Sequence, residues 1–219
     1  MSVADHKEAL VTREYEFAND LSPVLISEDP TGQWCHGVAG TVWDSSFVLA
    51  RYLEKSLPVH SLTDQSRILE LGAGLGLVGI AMAKLLPNAR IVLTDKHERL
   101  KLLQYNVHAN ESSAQVEGLD WDANNPDIEG QQWDAVLISD CIWEPSLHDS
   151  LLHALEKVVN SSSTLIMAYE QRDNTIEQQF FDKFHSIFDS RIASSDEMDD
   201  EYQSNDIKVV IAYKKELAR

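Results

Sequence analysis

The chain has 219 residues, of which 43% are hydrophobic and 25% charged, a size and balance that exclude a fibrous or wholly disordered protein and allow one sizeable core. Thirty-six acidic against 18 basic residues give a formal charge of -18, which repels phosphate backbones and anionic lipid and argues against nucleic-acid or membrane partners. Two cysteines, Cys35 and Cys141, without CxxC or Cys/His spacing, exclude a disulfide framework and a zinc cluster. The polar N-terminus and the lack of any apolar run near ~18 residues lead us to expect a cytoplasmic protein, with the nucleus also open.

Residues 1–36 are read as an N-terminal arm or hairpin extension, with a turn cluster at Glu28-Asp29-Pro30-Thr31-Gly32. Residues 37–219 are read as one domain. Apolar residues at helical spacing predict a helix from Val42 to Leu57, capped by Thr41 or Asp44 and preceded by the flexible Gly37-Val38-Ala39-Gly40. Arg67 to Leu71 is predicted as a buried strand, Leu75 to Leu86 as a helix and Arg90 to Thr94 as a second strand, which together make a βαβ unit. The alternation continues with a helix from Glu98 to Ala109, a weak strand from Val116 to Leu119, a strand from Ala135 to Ser139, a helix from Leu147 to Val159 and a strand from Thr164 to Tyr169. A helix from Ile176 to Phe188, a short strand at Arg191-Ile192 and a last strand from Ile207 to Tyr213 close the chain. This pattern predicts a doubly wound α/β fold, a parallel sheet with helices on both faces and an antiparallel C-terminal edge hairpin.

In such a sheet the ligand is expected outside the carboxyl ends of the strands, where strand order reverses. Gly72, Gly74 and Gly76 follow the first strand and form a turn that lets a ligand approach the backbone. Glu70, just ahead of the first glycine, would repel a pyrophosphate and can pair with the ammonium of an amino-acid moiety, directly or through water. Asp95 ends the second strand, where a carboxylate can accept both hydroxyls of a ribose or instead cap the next helix. Asp120-Trp121 after the third strand offers an acceptor for an adenine amino group and an indole to pack on its ring. Ser139-Asp140-Cys141-Ile142-Trp143 ends the fourth strand, the catalytic position, and Tyr169-Glu170 ends the fifth. Trp143 and Tyr169 can wall a channel for a lysine stem, or each can be a core aromatic. A GxGxxG pattern over Gly74, Gly76 and Gly79, with Asp95 beyond it, keeps a nicotinamide oxidoreductase in play. The eight histidines have no ligand spacing and are read as surface or satisfied groups, so no metal is expected.

The segments GTVWDSSFVLARYLE, ILELGAGLGLVGI, VLTDK, LDWD, SDCIWEPSL and AYEQR together resemble the seven-strand protein-lysine methyltransferases of the methyltransferase-16 family, over about Gly37 to Lys215. DCIW, YEQR and the tail DDEYQSNDIKVVIAYKK are most similar to the branch that methylates the AAA ATPase valosin-containing protein. The resemblance implies a Rossmann-like methyltransferase fold and S-adenosylmethionine held by Trp43, Glu70, Gly72, Asp95, Trp121 and a contact near Asp140, to which the reading of the strand ends adds Gly74, Asp120 and Ser139. It implies transfer to a lysine of a protein substrate; Asp140, Trp143, Tyr169 and Glu170, from their places at the strand ends, are the expected catalytic residues, and a monomer is expected. Where relatives have D-x-x-Y this chain has Trp143, so a role for that phenol does not carry over. Another protein or a small amine as acceptor, and a non-catalytic cofactor-binding module, remain alternatives.

Overall fold

The computed structural model describes residues 10–34 and 40–216. Cys35, His6, His36 and the expected flexible Gly37-Val38-Ala39 lie outside the described residues. Nine strands and six helices follow in chain order among the described residues: β1 (Val11–Tyr15), β2 (Val24–Glu28), α1 (Asp44–Ser56), β3 (Arg67–Leu71), α2 (Leu77–Leu85), β4 (Arg90–Asp95), α3 (Leu100–Ala109), β5 (Gln115–Gly118), α4 (Pro126–Glu129), β6 (Ala135–Ser139), α5 (His148–Val158), β7 (Thr164–Glu170), α6 (Asn174–Ile187), β8 (Phe188–Ile192) and β9 (Ile207–Lys214).

Strands β3 to β9 form one seven-stranded sheet in the order β5-β4-β3-β6-β7-β9-β8. The first five strands of this sheet are parallel, and β9 runs antiparallel between β7 and β8. The doubly wound sheet with its antiparallel edge hairpin is therefore present. Strand order runs outward from β3 through β4 to β5, then reverses at β6, so the reversal lies between β3 and β6.

Period-two alternation explains why the strands read as nearly continuous apolar runs. Ile68, Ile91, Leu93, Leu137 and Ile166 face a core shared with α1, α2 and α3. Leu69, Val92, Val136, Ile138 and Met167 face a second core with α4, α5 and α6. Both faces are covered, and each fully buried leucine or isoleucine contributes about 1.5–3 kcal/mol.

The antiparallel hairpin β1–β2 forms its own two-stranded sheet. The turn cluster Glu28 to Gly32 follows β2 rather than closing the hairpin, because Asp29 folds the chain there by accepting the Thr31 N–H at 3.1 Å and the Trp34 N–H at 2.5 Å. Tyr15, Val24 and Ile26 are fully buried in the first core, and Asn106 of α3 and Asn110 just past its end accept the Ser27 and Leu25 N–H groups at 2.9 Å each.

Element boundaries differ from the sequence expectation in three instructive places. Helix α1 begins at Asp44 behind Trp43, and neither Thr41 nor Asp44 caps it with a side chain. A 3-10 turn over His97–Arg99 precedes α3, so the helix starts at Leu100 rather than Glu98. Phe188, spaced like the apolar face of α6, instead opens β8, with its ring stacked on Phe184 at 4.8 Å.

Candidate active site

At the reversal point the ends of β3, β4, β6 and the start of α1 enclose a cavity of about 440 Å³, within the range of small-ligand sites. Its wall includes Trp43, Gly72, Gly74, Asp95, Trp121, Ser139, Asp140 and Trp143, eight of the twelve residues singled out from the sequence. Glu70, Asp120, Tyr169 and Glu170 are not on that wall.

The β3–β4 side of the cavity is a backbone cradle. Gly72 has φ +65°, a left-handed conformation that favours glycine, and a Cβ there would lie 2.6 Å from Cys141 Sγ and 3.2 Å from the Trp121 ring. Asp95 ties the glycine turn to β4: its carboxylate accepts the Gly74 N–H at 2.9 Å and the Lys96 N–H at 2.7 Å. Burial pushes the Asp95 carboxyl up from its ordinary value, and these two N–H groups pull it partly back. Asp95 thus serves the turn and the cavity wall, and the helix-cap alternative drops away. Burial likewise pushes the Cys141 thiol well up, which keeps it neutral beneath the cradle.

Glu70 stands behind this cradle, 1% exposed, and accepts the Gly79 N–H of α2 at 2.9 Å. Desolvation pushes its carboxyl up to about 8, with the Gly79 N–H opposing the rise and the nearby Asp95 charge adding to it. Its placement pins α2 against β3 and does not present it to a ligand's ammonium. Asp120 is exposed and accepts the N–H of Asp122 at 3.2 Å in a local turn, while the neighbouring Trp121 takes the wall.

The β6–β7 side is built from side chains. Asp140 has φ +53°, a strained conformation that aspartate tolerates better than most residues, and its N–H donates to Ala168 O at 2.8 Å. Its buried carboxylate receives a two-pronged contact from Arg172, Nη1 to Oδ1 at 2.8 Å and Nη2 to Oδ2 at 2.7 Å. The same guanidinium reaches Glu170 Oε2 at 2.5 Å and lies 5.3 Å from the Trp43 ring centre. The Asp140 contact holds the Arg172 guanidinium above its ordinary pKa. Sequence reasoning noticed Arg172 only as part of YEQR; nothing local to it signals a contact 32 positions away.

Trp43 and Trp143, 37% and 39% exposed, flank the cavity. Trp43 is set by the first turn of α1, where Ser46 Oγ bonds Ser139 Oγ at 2.9 Å, and by the hairpin, because Glu28 accepts the Val42 N–H at 2.8 Å and Arg13 donates to Val42 O at 3.2 Å. Trp143 sits in a loop held by the buried His148, whose ring bonds Ile142 O at 2.8 Å. Tyr169 is turned the other way: alternation along β7 sends it, 6% exposed, against Phe181 of α6 at 5.4 Å, so it is a core aromatic and not a channel wall. Cys141 and Glu144, within or beside the stretch expected at the end of the fourth strand, also line the cavity, as do Thr41, Lys96, Arg99 and Leu119, to which sequence reasoning assigns no role in a site.

The family model described as lysine methyltransferase, methyltransferase-16, matches residues 22–187. The chain is 32% identical to the protein-lysine methyltransferase METTL21E of Mus musculus over 193 residues, covering 84% of this chain and 74% of that protein. It is 35% identical to the protein N-lysine methyltransferase METTL21A of Mus musculus over 156 residues, covering 66% and 69%. Among solved structures it resembles a precorrin-6y C5,15-methyltransferase from Geobacter metallireducens GS-15, with a TM-score of 0.54, 17% identity and coverage of 77% and 87%. It also resembles the S-adenosylmethionine-dependent methyltransferase SibL, with a TM-score of 0.55, 13% identity and coverage of 77% and 55%. These structures speak for the fold alone. The glycine cradle, the strand-end carboxylate of Asp95 and the indole of Trp121 are the donor set that such a cofactor needs, and by its family match the chain belongs to the lysine methyltransferase family and is a protein-lysine methyltransferase whose methyl donor is S-adenosylmethionine.

Proposed function

We propose that the protein methylates a lysine of the AAA ATPase valosin-containing protein, as a monomer in the cytoplasm, and that the cavity between β3 and β6 is the site of transfer. The observation that carries the choice of site is that the backbone cradle at Gly72 and the paired acid Asp140 share one wall, flanked by two exposed tryptophans. The choice of acceptor is supported by DCIW at 140–143, YEQR at 169–172 and the tail from Asp199 to Lys215.

In this reading Gly72 and Gly74 let the cofactor approach the backbone, Asp95 accepts its ribose hydroxyls, Trp121 and Leu119 pack on its base, and Ser139 offers a further polar contact. When bound, S-adenosylmethionine supplies an electrophilic methyl group on a positively charged sulfur, delivered in line to a neutral amine. Trp43 and Trp143 pack along the methylene stem of the lysine. Asp140 accepts an N–H of the incoming amine and so orients its lone pair, a positioning task worth several kcal/mol. Glu70 and Tyr169 act from behind, one fixing α2 and the other the β7–α6 core.

The test is incubation of the purified protein with radiolabelled S-adenosylmethionine and a cell extract, with purified valosin-containing protein alongside. A labelled band on that ATPase is expected. Label on a different protein would overturn the acceptor and leave the chemistry, whereas no labelled protein together with no calorimetric binding of S-adenosylhomocysteine would overturn the site.

A further inference from the structure

Both oxygens of the Asp140 carboxylate are held by this chain's own guanidinium. Arg172 spans Asp140 and Glu170 and lies over the Trp43 ring, 5.3 Å from its centre. Two acids and an indole face are also what a substrate ammonium would seek, and that creates a chemical difficulty. The nucleophile in methyl transfer is the neutral amine, yet an uncompensated Asp140 carboxylate beside it, with Glu170 behind, would hold it as an ammonium, since an opposite charge within ~4–6 Å favours the charged form. Lysine starts from a pKa of about 10.4, so any further rise removes nucleophile at neutral pH.

We propose that Arg172 is a positioning residue of the acceptor site: clamped across Asp140 and Glu170, it fixes the Asp140 carboxylate and offsets its charge, so that the amine meets an oriented hydrogen-bond acceptor without being trapped as a cation. The inference rests on the reading of the cavity as a lysine-methylation site. The two-pronged contact takes one lone pair from each Asp140 oxygen and the Glu170 N–H reaches Oδ1 at 3.4 Å, so of about four positions one on Oδ2 remains for the incoming N–H. Only a planar fork can hold both oxygens in this way; a lysine in its place would keep the charge and lose the geometry. Position Arg172 is fixed in turn by the Arg172 N–H, which donates to Glu177 of α6 at 2.8 Å, so the clamp is anchored from its backbone as well.

The other charged groups around the amine are Asp95, Lys96, Arg99 and Glu144 on the cavity wall. They are the same in every variant below, so differences between variants read Arg172. We would measure kcat against pH, which reports ionisations in the enzyme–substrate complex, for the wild type, Arg172→Gln and Arg172→Lys. Valosin-containing protein and Nα-acetyl-lysine methylamide serve as acceptors, and calorimetric binding of S-adenosylhomocysteine checks each variant. The Arg172→Gln variant should need a pH higher by about one unit to reach half of its maximal rate, as the offsetting charge is gone. The Arg172→Lys variant should keep the wild-type midpoint while its kcat falls about tenfold at every pH.

A midpoint unmoved in Arg172→Gln, or two variants that behave alike, would overturn the role of Arg172 while leaving lysine methylation intact. Loss of S-adenosylhomocysteine binding in both variants would also overturn it, by making Arg172 a support of the cofactor side. A wild type that methylates neither of these acceptors nor any lysine in a cell extract, while it still binds S-adenosylhomocysteine, would remove the reading of this cavity as a lysine-methylation site and the inference with it.

Discussion

On the β3–β4 side of the cavity the polar groups are satisfied by the main chain, Asp95 by the Gly74 and Lys96 N–H groups and Glu70 by that of Gly79. On the β6–β7 side they are satisfied by other side chains, Asp140 and Glu170 by Arg172, with Trp43 alongside. A wall built of backbone is rigid and holds one shape, which suits a ligand that never changes. A wall built of side chains can be retuned by single substitutions, which suits an acceptor that differs between relatives. The comparison predicts that damage to the first wall appears in cofactor affinity and damage to the second in turnover or acceptor KM.

The largest effect on the backbone wall is expected from Gly72→Ala, because its methyl would meet Cys141 Sγ at 2.6 Å in a left-handed conformation. Calorimetry with S-adenosylhomocysteine should show a loss of about thirtyfold or more, and adding Cys141→Ala should recover part of it through relief of the clash. Asp95→Ala removes the partner of two N–H groups and is expected to weaken the same binding about tenfold. Trp143→Ala probes the other wall: acceptor KM should rise about fivefold while S-adenosylhomocysteine affinity stays within about twofold. A cofactor-binding loss in that variant would blur the division between the walls.

The smallest effect concerns Glu70, whose carboxyl is raised to about 8 in the folded chain. A raised acid means that the native state binds a proton the unfolded chain has released. Its contribution to stability is therefore complete below the unfolded value of about 4.5 and fades as pH rises toward 8. Melting temperatures of the ligand-free protein should fall between pH 5 and pH 8, and Glu70→Gln should flatten that fall by a few degrees. An unchanged slope would show that the Glu70 proton is not coupled to folding.

The same contrast governs what the sequence discloses. The glycine turn after Arg67–Leu71 and the carboxylate ending Arg90–Asp95 are legible because strand, turn and helix follow one another within some thirty residues and each imposes a local pattern. Strand β5 reads weakly because it is an edge strand whose side chains alternate between exposed and half-buried. The short helix Pro126–Glu129 is not anticipated, as four residues carry no period. Tyr169 misleads because its neighbour Glu170 ends the strand beside the cavity, while the pleat turns the tyrosine ring to the opposite face. The Asp140–Arg172 clamp depends on two strand ends meeting in space, and no spacing rule within one segment reports it.

Methyl transfer to a lysine is expected to depend on Asp140 in this cavity. Asp140→Asn keeps the shape and tolerates the left-handed backbone at φ +53°, and it removes the charge together with one prong of the Arg172 contact. The most direct test is to react wild type and Asp140→Asn with labelled S-adenosylmethionine and protein acceptor, hydrolyse the product and identify the labelled amino acid. Label in methylated lysine with the wild type, and a rate lower by about a hundredfold or more with the variant while S-adenosylhomocysteine still binds, is the predicted result. Label in another amino acid, or equal rates for the two proteins, would contradict it.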